Sequence, residues 1–139
     1  MKKIGFITTN DGHPWGGSEE LWSLTALWLL KMNTEVAVSI KKWSKKHQRL
    51  IDIEKQGGKI FFRTNHSNNN IVGKIRSRLL PYQEKEKVWA LNSGWLDEFK
   101  PDLVIISLGH NMQGANWMHA CIKRKIPYII VVHLVLEHK

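Results

Sequence analysis

Short apolar runs rich in β-branched residues alternate with longer segments of helical periodicity along the chain. The runs are bounded by Gly, Pro, Asn or Asp, as is typical of buried strands. The predicted strands are 3–9, 35–38, 59–63, 103–107 and 128–132. The predicted helices are 19–32, 41–56, 83–99 and 111–125, with a short basic amphipathic helix at 71–80 after an exposed loop at 64–70. This alternation predicts a Rossmann-like α/β domain, with five parallel strands in the order 3-2-1-4-5 and helices on both faces.

The predicted helix 41–56 has two distinct faces. Cations at helical spacing form one stripe, namely Lys42, Lys45, Lys46 and Arg49. Apolar residues that we expect to pack on the sheet form the other, namely Trp43, Leu50 and Ile53. The stripe fits a solvated face, an anionic membrane surface or nucleic acid, and its spacing does not choose among them.

A glycine turn joins the first strand to the first helix, within His13-Pro14-Trp15-Gly16-Gly17-Ser18-Glu19-Glu20. We predict Ser18 as the N-cap, with both glutamates in the first turn. Free amides at such a terminus can bind phosphate, but the pattern is neither GxGxxG nor a P-loop, and a well-capped tight turn is the interpretation that the residues alone favour. We expect both glutamate side chains to point sideways or outward, away from the helix N-terminus, because phosphate binding there would otherwise fail.

Composition narrows the class of protein. The 139 residues suit one domain. The single cysteine, Cys121, excludes an internal disulfide and is predicted to be a small buried hydrophobe. Neither the run that ends at Thr8 nor residues 126–136 is long enough for a signal peptide or a spanning helix, so we expect a soluble, cytoplasmic protein. The net charge of +9 favours anionic partners without identifying them.

The segment from Gly16-Gly17-Ser18-Glu19 to Asn33-Thr34-Glu35-Val36 resembles the N-terminal half of a known enzyme family. These are the retaining, nucleotide-sugar-dependent glycosyltransferases with two facing Rossmann-like domains, the B-type fold. Their first helix typically begins Gly-Gly-Ala/Ser-Glu and ends near Gly-His-Glu-Val. Asn33 replaces the family's glycine at the helix C-terminus, where a positive φ is required and Asn is the usual second choice. The resemblance covers essentially this whole chain but only the N-terminal part of a complete enzyme.

Three predicted loops, 10–17, 108–111 and 133 onward, leave the carboxyl ends of neighbouring strands and should line one crevice. Candidate lining residues are His13, Trp15, His110 and Asn111. The resemblance implies that Gly16 and Gly17 face the donor diphosphate, and that His133 is catalytic and contacts the donor sugar. From the residues alone, His133 could instead cap backbone groups, and Trp15 could simply cover the turn. We predict no metal, because the spacing of His133, Glu137 and His138 does not suit a strand exit.

We therefore interpret residues 1–139 as the acceptor-side domain of a glycosyltransferase that moves a sugar from a nucleotide sugar to an acceptor hydroxyl, without a cofactor. The C-terminal nucleotide-sugar-binding domain is expected to be absent from this chain. The chain alone should then be inactive or very weak, and should self-associate or be marginally stable through an exposed wall around Trp15, Leu108 and Leu134.

The expected partners are the nucleotide-sugar donor, an acceptor of unknown identity, a second chain that supplies the donor domain and, at the periphery, an anionic membrane surface. The alternative is a non-catalytic Rossmann-like module that binds a phosphorylated small molecule or a partner chain. Nucleic acid is disfavoured, because no RNA- or DNA-binding signature accompanies the charge.

Overall fold

The computed structural model describes residues 1–64, 82–110 and 113–134, apart from the side chain of Gln83. The strands are β1 (Lys3–Thr8), β2 (Glu35–Lys41), β3 (Lys59–Arg63), β4 (Leu103–Leu108) and β5 (Tyr128–Val132). The helices are α1 (Gly17–Lys31), α2 (Gln48–Lys55), α3 (Tyr82–Ser93), α4 (Trp95–Phe99) and α5 (Ala115–Lys123). The predicted basic helix 71–80 lies outside the described residues.

The five strands form one parallel sheet in the order β3-β2-β1-β4-β5, which confirms the predicted fold class and strand order. In the central strand, Phe6 pairs in register with Val38 on one side and Ile105 on the other. Parallel strands need covered faces, which explains their nearly continuous apolar sequences. Because β1 lies between β2 and β4, the strand order reverses beside it, and the carboxyl ends of β1, β4 and β5 lie next to one another.

Helices cover both faces of the sheet. One core lies between β1–β2 and the helices α1 and α2; its members include Ile4, Phe6, Val36, Val38, Trp22, Ala26, Leu50 and Ile53. The other core lies beneath α4 and α5; its members include Ile7, Val104, Ile106, Trp95, Leu96, Phe99, Trp117 and Cys121. Cys121 is fully buried, and burial raises the pKa of its thiol, as expected of a structural cysteine.

The prediction that one helix spans 41–56 is wrong at its start. The β-branched run of β2 continues through the buried residues Ser39 and Ile40 to Lys41, and 42–47 is a loop. The helix begins only at Gln48, where the His47 ring accepts a hydrogen bond from the Arg49 amide at 3.2 Å. The lysines at 42, 45 and 46 therefore lie on a loop rather than on a helical stripe.

Two other predicted helices differ in detail. The segment 83–99 is divided at Gly94 into α3 and α4. The apolar periodicity of this segment predicts that Leu91 is packed, but Leu91 is 80% exposed. Trp89 packs against the core as its sequence context favours, with its ring 4.8 Å from that of Trp117. Among the described residues of the segment 111–125, the helix comprises Ala115 to Lys123. The positive φ expected at the end of α1 is confirmed, since Asn33 has φ of 58°.

The predicted exposed apolar wall is present only in part. Leu108 is buried, because it packs beneath α5 in the second core, although Leu134 is exposed as predicted. The outer side of α1 exposes three large side chains instead, namely Leu21, Leu24 and Trp28. Ile129 on the edge strand β5 is half exposed as well. In the described ranges, no helix is both long and apolar enough to cross a membrane.

Candidate functional site

The loops that follow β1, β4 and β5 meet at the carboxyl edge of the sheet. The Thr9 amide donates to the Ser107 carbonyl at 3.0 Å, and the Thr9 hydroxyl donates to Gln113 Oε1 at 3.1 Å. The His133 amide donates to the Leu108 carbonyl at 3.1 Å. These contacts confirm that the three loops converge, as their places in the strand order predict. Open α/β sheets bind ligands at such an edge.

His133 is held by a buried hydroxyl. Its Nε2 lies 3.0 Å from Oγ of Ser107, which is 3% exposed at the end of β4. When Ser107 donates, Nε2 is the acceptor and the ring proton resides on Nδ1. The ring also borders a small apolar pocket of about 170 Å³, which it shares with Leu21 and Thr25 of α1. The histidine predicted as catalytic therefore lies beside the first turns of α1 with one nitrogen already engaged.

The glycine turn starts α1 differently from the prediction. Gly16 is the N-cap, with an extended backbone, and its carbonyl accepts from the amides of Glu19 and Glu20 at 3.1 and 3.2 Å. Ser18 is not the N-cap, because it already lies inside the helix, where its hydroxyl donates to Glu19 Oε2 at 2.8 Å. A Cβ built on Gly17 meets nothing within 4 Å, so the space beside the first helical residue is open.

Glu19 points inward, against the prediction. Its side chain is 1% exposed and accepts three hydrogen bonds, from Thr8 Oγ1 at 3.1 Å, Asn10 Nδ2 at 3.1 Å and Ser18 Oγ at 2.8 Å. These three hydrogen bonds compensate for the hydration that the carboxylate loses on burial, so the inward orientation is stable. The carboxylate thus fills the space between the end of β1 and the N-terminus of α1. The condition set for phosphate binding at Gly16 and Gly17 is not met, because an anion there would have to displace this carboxylate.

Glu20 points outward as expected and is tied to Trp15. The Trp15 indole donates to Glu20 Oε1 at 2.7 Å, and Arg49 pairs with Glu20 Oε2 at 3.2 Å. The Trp15 hydrogen bond, aided by Arg49, lowers the pKa of the Glu20 carboxyl. The Trp15 ring lies flat on His47, with centroids 3.7 Å apart and planes at 1°. Trp15 therefore covers the turn on the α2 side, which is the second of its two sequence-based interpretations.

The positions of the remaining candidate lining residues do not test whether they line a ligand site. His13 is exposed in the loop after β1, and His110 is half-buried after β4, where its carbonyl accepts from the Gln113 amide at 3.3 Å. Asn111 lies outside the described residues. Their roles as lining residues stay predictions.

Arg63 is the main site residue that sequence reasoning missed. It is 6% exposed at the end of β3 and reaches across the sheet. Its guanidinium donates to the Ser39 carbonyl at 2.8 Å, the Thr8 carbonyl at 2.6 Å and Asp11 Oδ1 at 3.2 Å. Burial lowers the pKa of Arg63, and the neighbouring Asp11 carboxylate opposes that shift. In the sequence, Arg63 looks like an ordinary strand-end cation, because its partners are distant along the chain.

A polar pocket of about 440 Å³ opens beside Arg63, on the side of the sheet that α3 and α5 cover. Its polar lining residues include Thr9, Asp11, Asn92, Gln113 and Asn116, and Trp89 and Trp117 supply aromatic surface. The Arg63 charge is paired with Asp11, so the pocket offers neutral amide and hydroxyl groups rather than an unpaired ion. Such a lining suits a ligand that carries several hydroxyl groups.

The described ranges contain no group of three or more His, Cys, Asp or Glu residues arranged to hold a metal ion. Residues 137 and 138 lie outside those ranges. Comparison of the chain with protein-family models, with curated proteins and with solved structures returns no match.

Proposed function

We propose that this chain is the acceptor-side domain of a retaining glycosyltransferase that uses a nucleotide-sugar donor. The observation that carries the proposal is the junction at the carboxyl edge, where Ser107 and Thr9 join the loops after β1, β4 and β5 around His133. The strand order places this junction where Rossmann-like sheets bind ligands. The glycine turn and the positive φ at Asn33 agree with the sequence resemblance.

In this proposal His133 contacts the donor sugar. In the tautomer in which Ser107 donates to Nε2, the ring proton is on Nδ1, and Nδ1–H is the group that donates to a sugar hydroxyl. A donor at that position also stabilises negative charge as the glycosidic bond breaks. The polar pocket beside Arg63 takes hydroxyl groups of the acceptor, because its amides and Asp11 offer both donors and acceptors.

The donor phosphates are not assigned to Gly16 and Gly17 alone. The Glu19 carboxylate lies at the N-terminus of α1, where its negative charge would repel a phosphate. A diphosphate would bind only after Glu19 turns away, or would be held mainly by groups from outside this domain. In the resembled family, most nucleotide contacts come from the second Rossmann-like domain.

The test is an NMR titration of the ¹⁵N-labelled chain with UDP-glucose, GDP-mannose and the free nucleotides. We expect the His133 imidazole and the Thr9 and Gln113 amides to shift with a nucleotide sugar and less with the free nucleotide. His133→Ala should weaken that binding about fivefold, since His133 is exposed and a neutral hydrogen bond contributes about 1 kcal/mol. His119→Ala, which removes an exposed histidine on α5, is the matched control and should leave binding unchanged. Unchanged His133 and Thr9 resonances with every nucleotide sugar would refute the assignment of the donor-sugar contact to His133 of this domain.

A second candidate is a non-catalytic module that pairs with a partner chain. It is favoured by the apolar residues Leu21, Leu24 and Trp28 that α1 exposes, since clustered exposed apolar side chains mark interaction surfaces. Under this candidate, no sugar conjugate shifts the His133 resonances, but Trp28→Lys lowers the mass of the species seen by analytical ultracentrifugation. Self-association that survives Trp28→Lys would exclude this surface.

A further inference from the structure

A large groove lies away from the carboxyl-edge junction, between α2 and the loop 42–47. Its volume is about 830 Å³, within the range of small-molecule sites. Its apolar lining comprises Pro14, Trp15, Ile40, Trp43, Leu50, Ile51 and Phe62. Its cationic lining comprises Lys41, Lys42, Lys45 and Lys46. We call this the loop groove.

The loop that forms the loop groove is held in place at both ends. At one end the Lys42 amide donates to the Arg63 carbonyl at 3.1 Å. At the other end His47 accepts from the Arg49 amide and stacks on Trp15. Both ends of the loop are therefore fixed to the sheet and to α2, so the side chains between them are presented in a defined place.

The charges on its rim are unequally compensated. Lys46 pairs with Glu54, and the Lys41 ammonium donates to the Asp11 carbonyl at 3.0 Å and lies 4.3 Å above the Trp43 ring. Lys42 and Lys45 are exposed, and no carboxylate within the described ranges forms an ion pair with either. The groove thus combines an apolar floor with a locally positive rim.

We propose that the loop groove binds a phosphate-bearing amphiphile, a lipid whose phosphate contacts Lys42 and Lys45 while its apolar chain lies on the floor. The positively charged rim complements a phosphate. An alkyl chain on the floor removes apolar surface from water, which is favourable. A single-stranded nucleic acid fits less well. It needs free aromatic faces for stacking, whereas His47 covers Trp15 and lysine ammonium groups cover faces of Trp43 and Phe62.

The experiment uses dihexanoyl phosphatidic acid, kept below its micelle concentration and titrated into the ¹⁵N-labelled chain. We expect the Trp15 and Trp43 indole resonances to shift, with saturable binding. Dihexanoyl phosphatidylcholine, which has the same chains but no net charge, should bind more weakly, and inorganic phosphate should bind more weakly still. Tighter binding of oligothymidylate or inorganic phosphate than of phosphatidic acid would overturn the proposal.

Matched variants separate the loop groove from general attraction to a basic protein. Lys42→Ala with Lys45→Ala should weaken phosphatidic acid binding about thirtyfold, since each lysine near an anionic lipid contributes about fivefold. Lys85→Ala with Lys87→Ala removes the same charge from the exposed face of α3 and should change binding by less than about twofold. Trp43→Ala should weaken phosphatidic acid and phosphatidylcholine alike. Equal losses in the two double-lysine variants would show that only net charge matters and would refute the assignment.

Discussion

The buried carboxylate of Glu19 allows the sharpest prediction about stability. In Glu19→Ala, the Thr8 hydroxyl loses its acceptor at a position that is 2% exposed, and an unsatisfied buried donor costs about 1–3 kcal/mol. Asn10 and Ser18 also lose an acceptor, but they are half-buried and can turn to water. We therefore expect the free energy of unfolding to fall by about 1–3 kcal/mol.

Urea denaturation followed by circular dichroism measures this loss. The expected result is a lower midpoint at an unchanged m-value. Glu20→Ala, at the next position on the outer side of α1, is the control and should lose much less, because Glu20 is largely solvated. If Glu19→Ala is no more destabilising than Glu20→Ala, the inward carboxylate does not organise the turn.

The same variant tests the anion site. Removal of the Glu19 carboxylate leaves the Gly17 and Ser18 amides at the mouth of α1 without a competing charge. Phosphate should then raise the melting temperature of Glu19→Ala more than that of the unmodified chain, since a ligand stabilises only the state that binds it. An equal rise in both would mean that Glu19 does not block the mouth.

Three further predictions concern the core and one ion pair. Gly5→Ala places a Cβ 2.8 Å from the Trp95 ring and should cost about 1–3 kcal/mol by urea denaturation. Arg124, which binds Asp97 through two hydrogen bonds of 2.8 Å, lowers the pKa of that carboxyl. Asp97→Asn should therefore lose about 0.5 kcal/mol at about pH 6, and its stability should converge on that of the unmodified chain as the pH falls through the lowered pKa. Cys121 should react with a thiol reagent on the order of a thousandfold more slowly in the native chain than in urea.

Each of these predictions has a clear contrary outcome. Gly17→Ala is the control for Gly5→Ala and should be neutral or slightly stabilising, because its Cβ meets open space. A larger loss for Gly17→Ala than for Gly5→Ala would contradict the packing argument. A destabilisation by Asp97→Asn that persists at about pH 2 would show that the charge of Asp97 is not its cause. Rapid native labelling of Cys121 would contradict its burial.

The individual strands were predictable, because they are marked by features that are local in the sequence, and the doubly wound topology then gave their order. Apolar runs such as 103–107 and 128–132 mark buried parallel strands by composition alone. The C-terminus of α1 was predictable for a similar reason, since few residues other than glycine and asparagine tolerate the φ of Asn33. The start of α2 was not, because Lys41 and Trp43 extend its amphipathic pattern back through the loop 42–47 to the end of β2.

The candidate site was less predictable, because its contacts join residues far apart in the chain. Thr8 and Asn10 turn Glu19 inward, and nothing near Glu19 in the sequence reveals those donors. The guanidinium of Arg63 meets the Thr8 carbonyl across 55 positions of sequence. Side-chain direction at such places follows from the assembled sheet rather than from local propensity.

Arg63 joins one part of the sheet more firmly than the other, so the two parts should differ in their free energy of local unfolding. Its guanidinium fastens the carboxyl ends of β1 and β2 to β3, whereas β5 is bonded to β4 alone and its Ile129 is half exposed. Native-state hydrogen exchange should therefore register β5 as a low-energy unit of partial unfolding and β2 as part of the global one. His133 follows β5 directly, so a ligand that binds His133 should stabilise β5 against local unfolding and slow its hydrogen exchange.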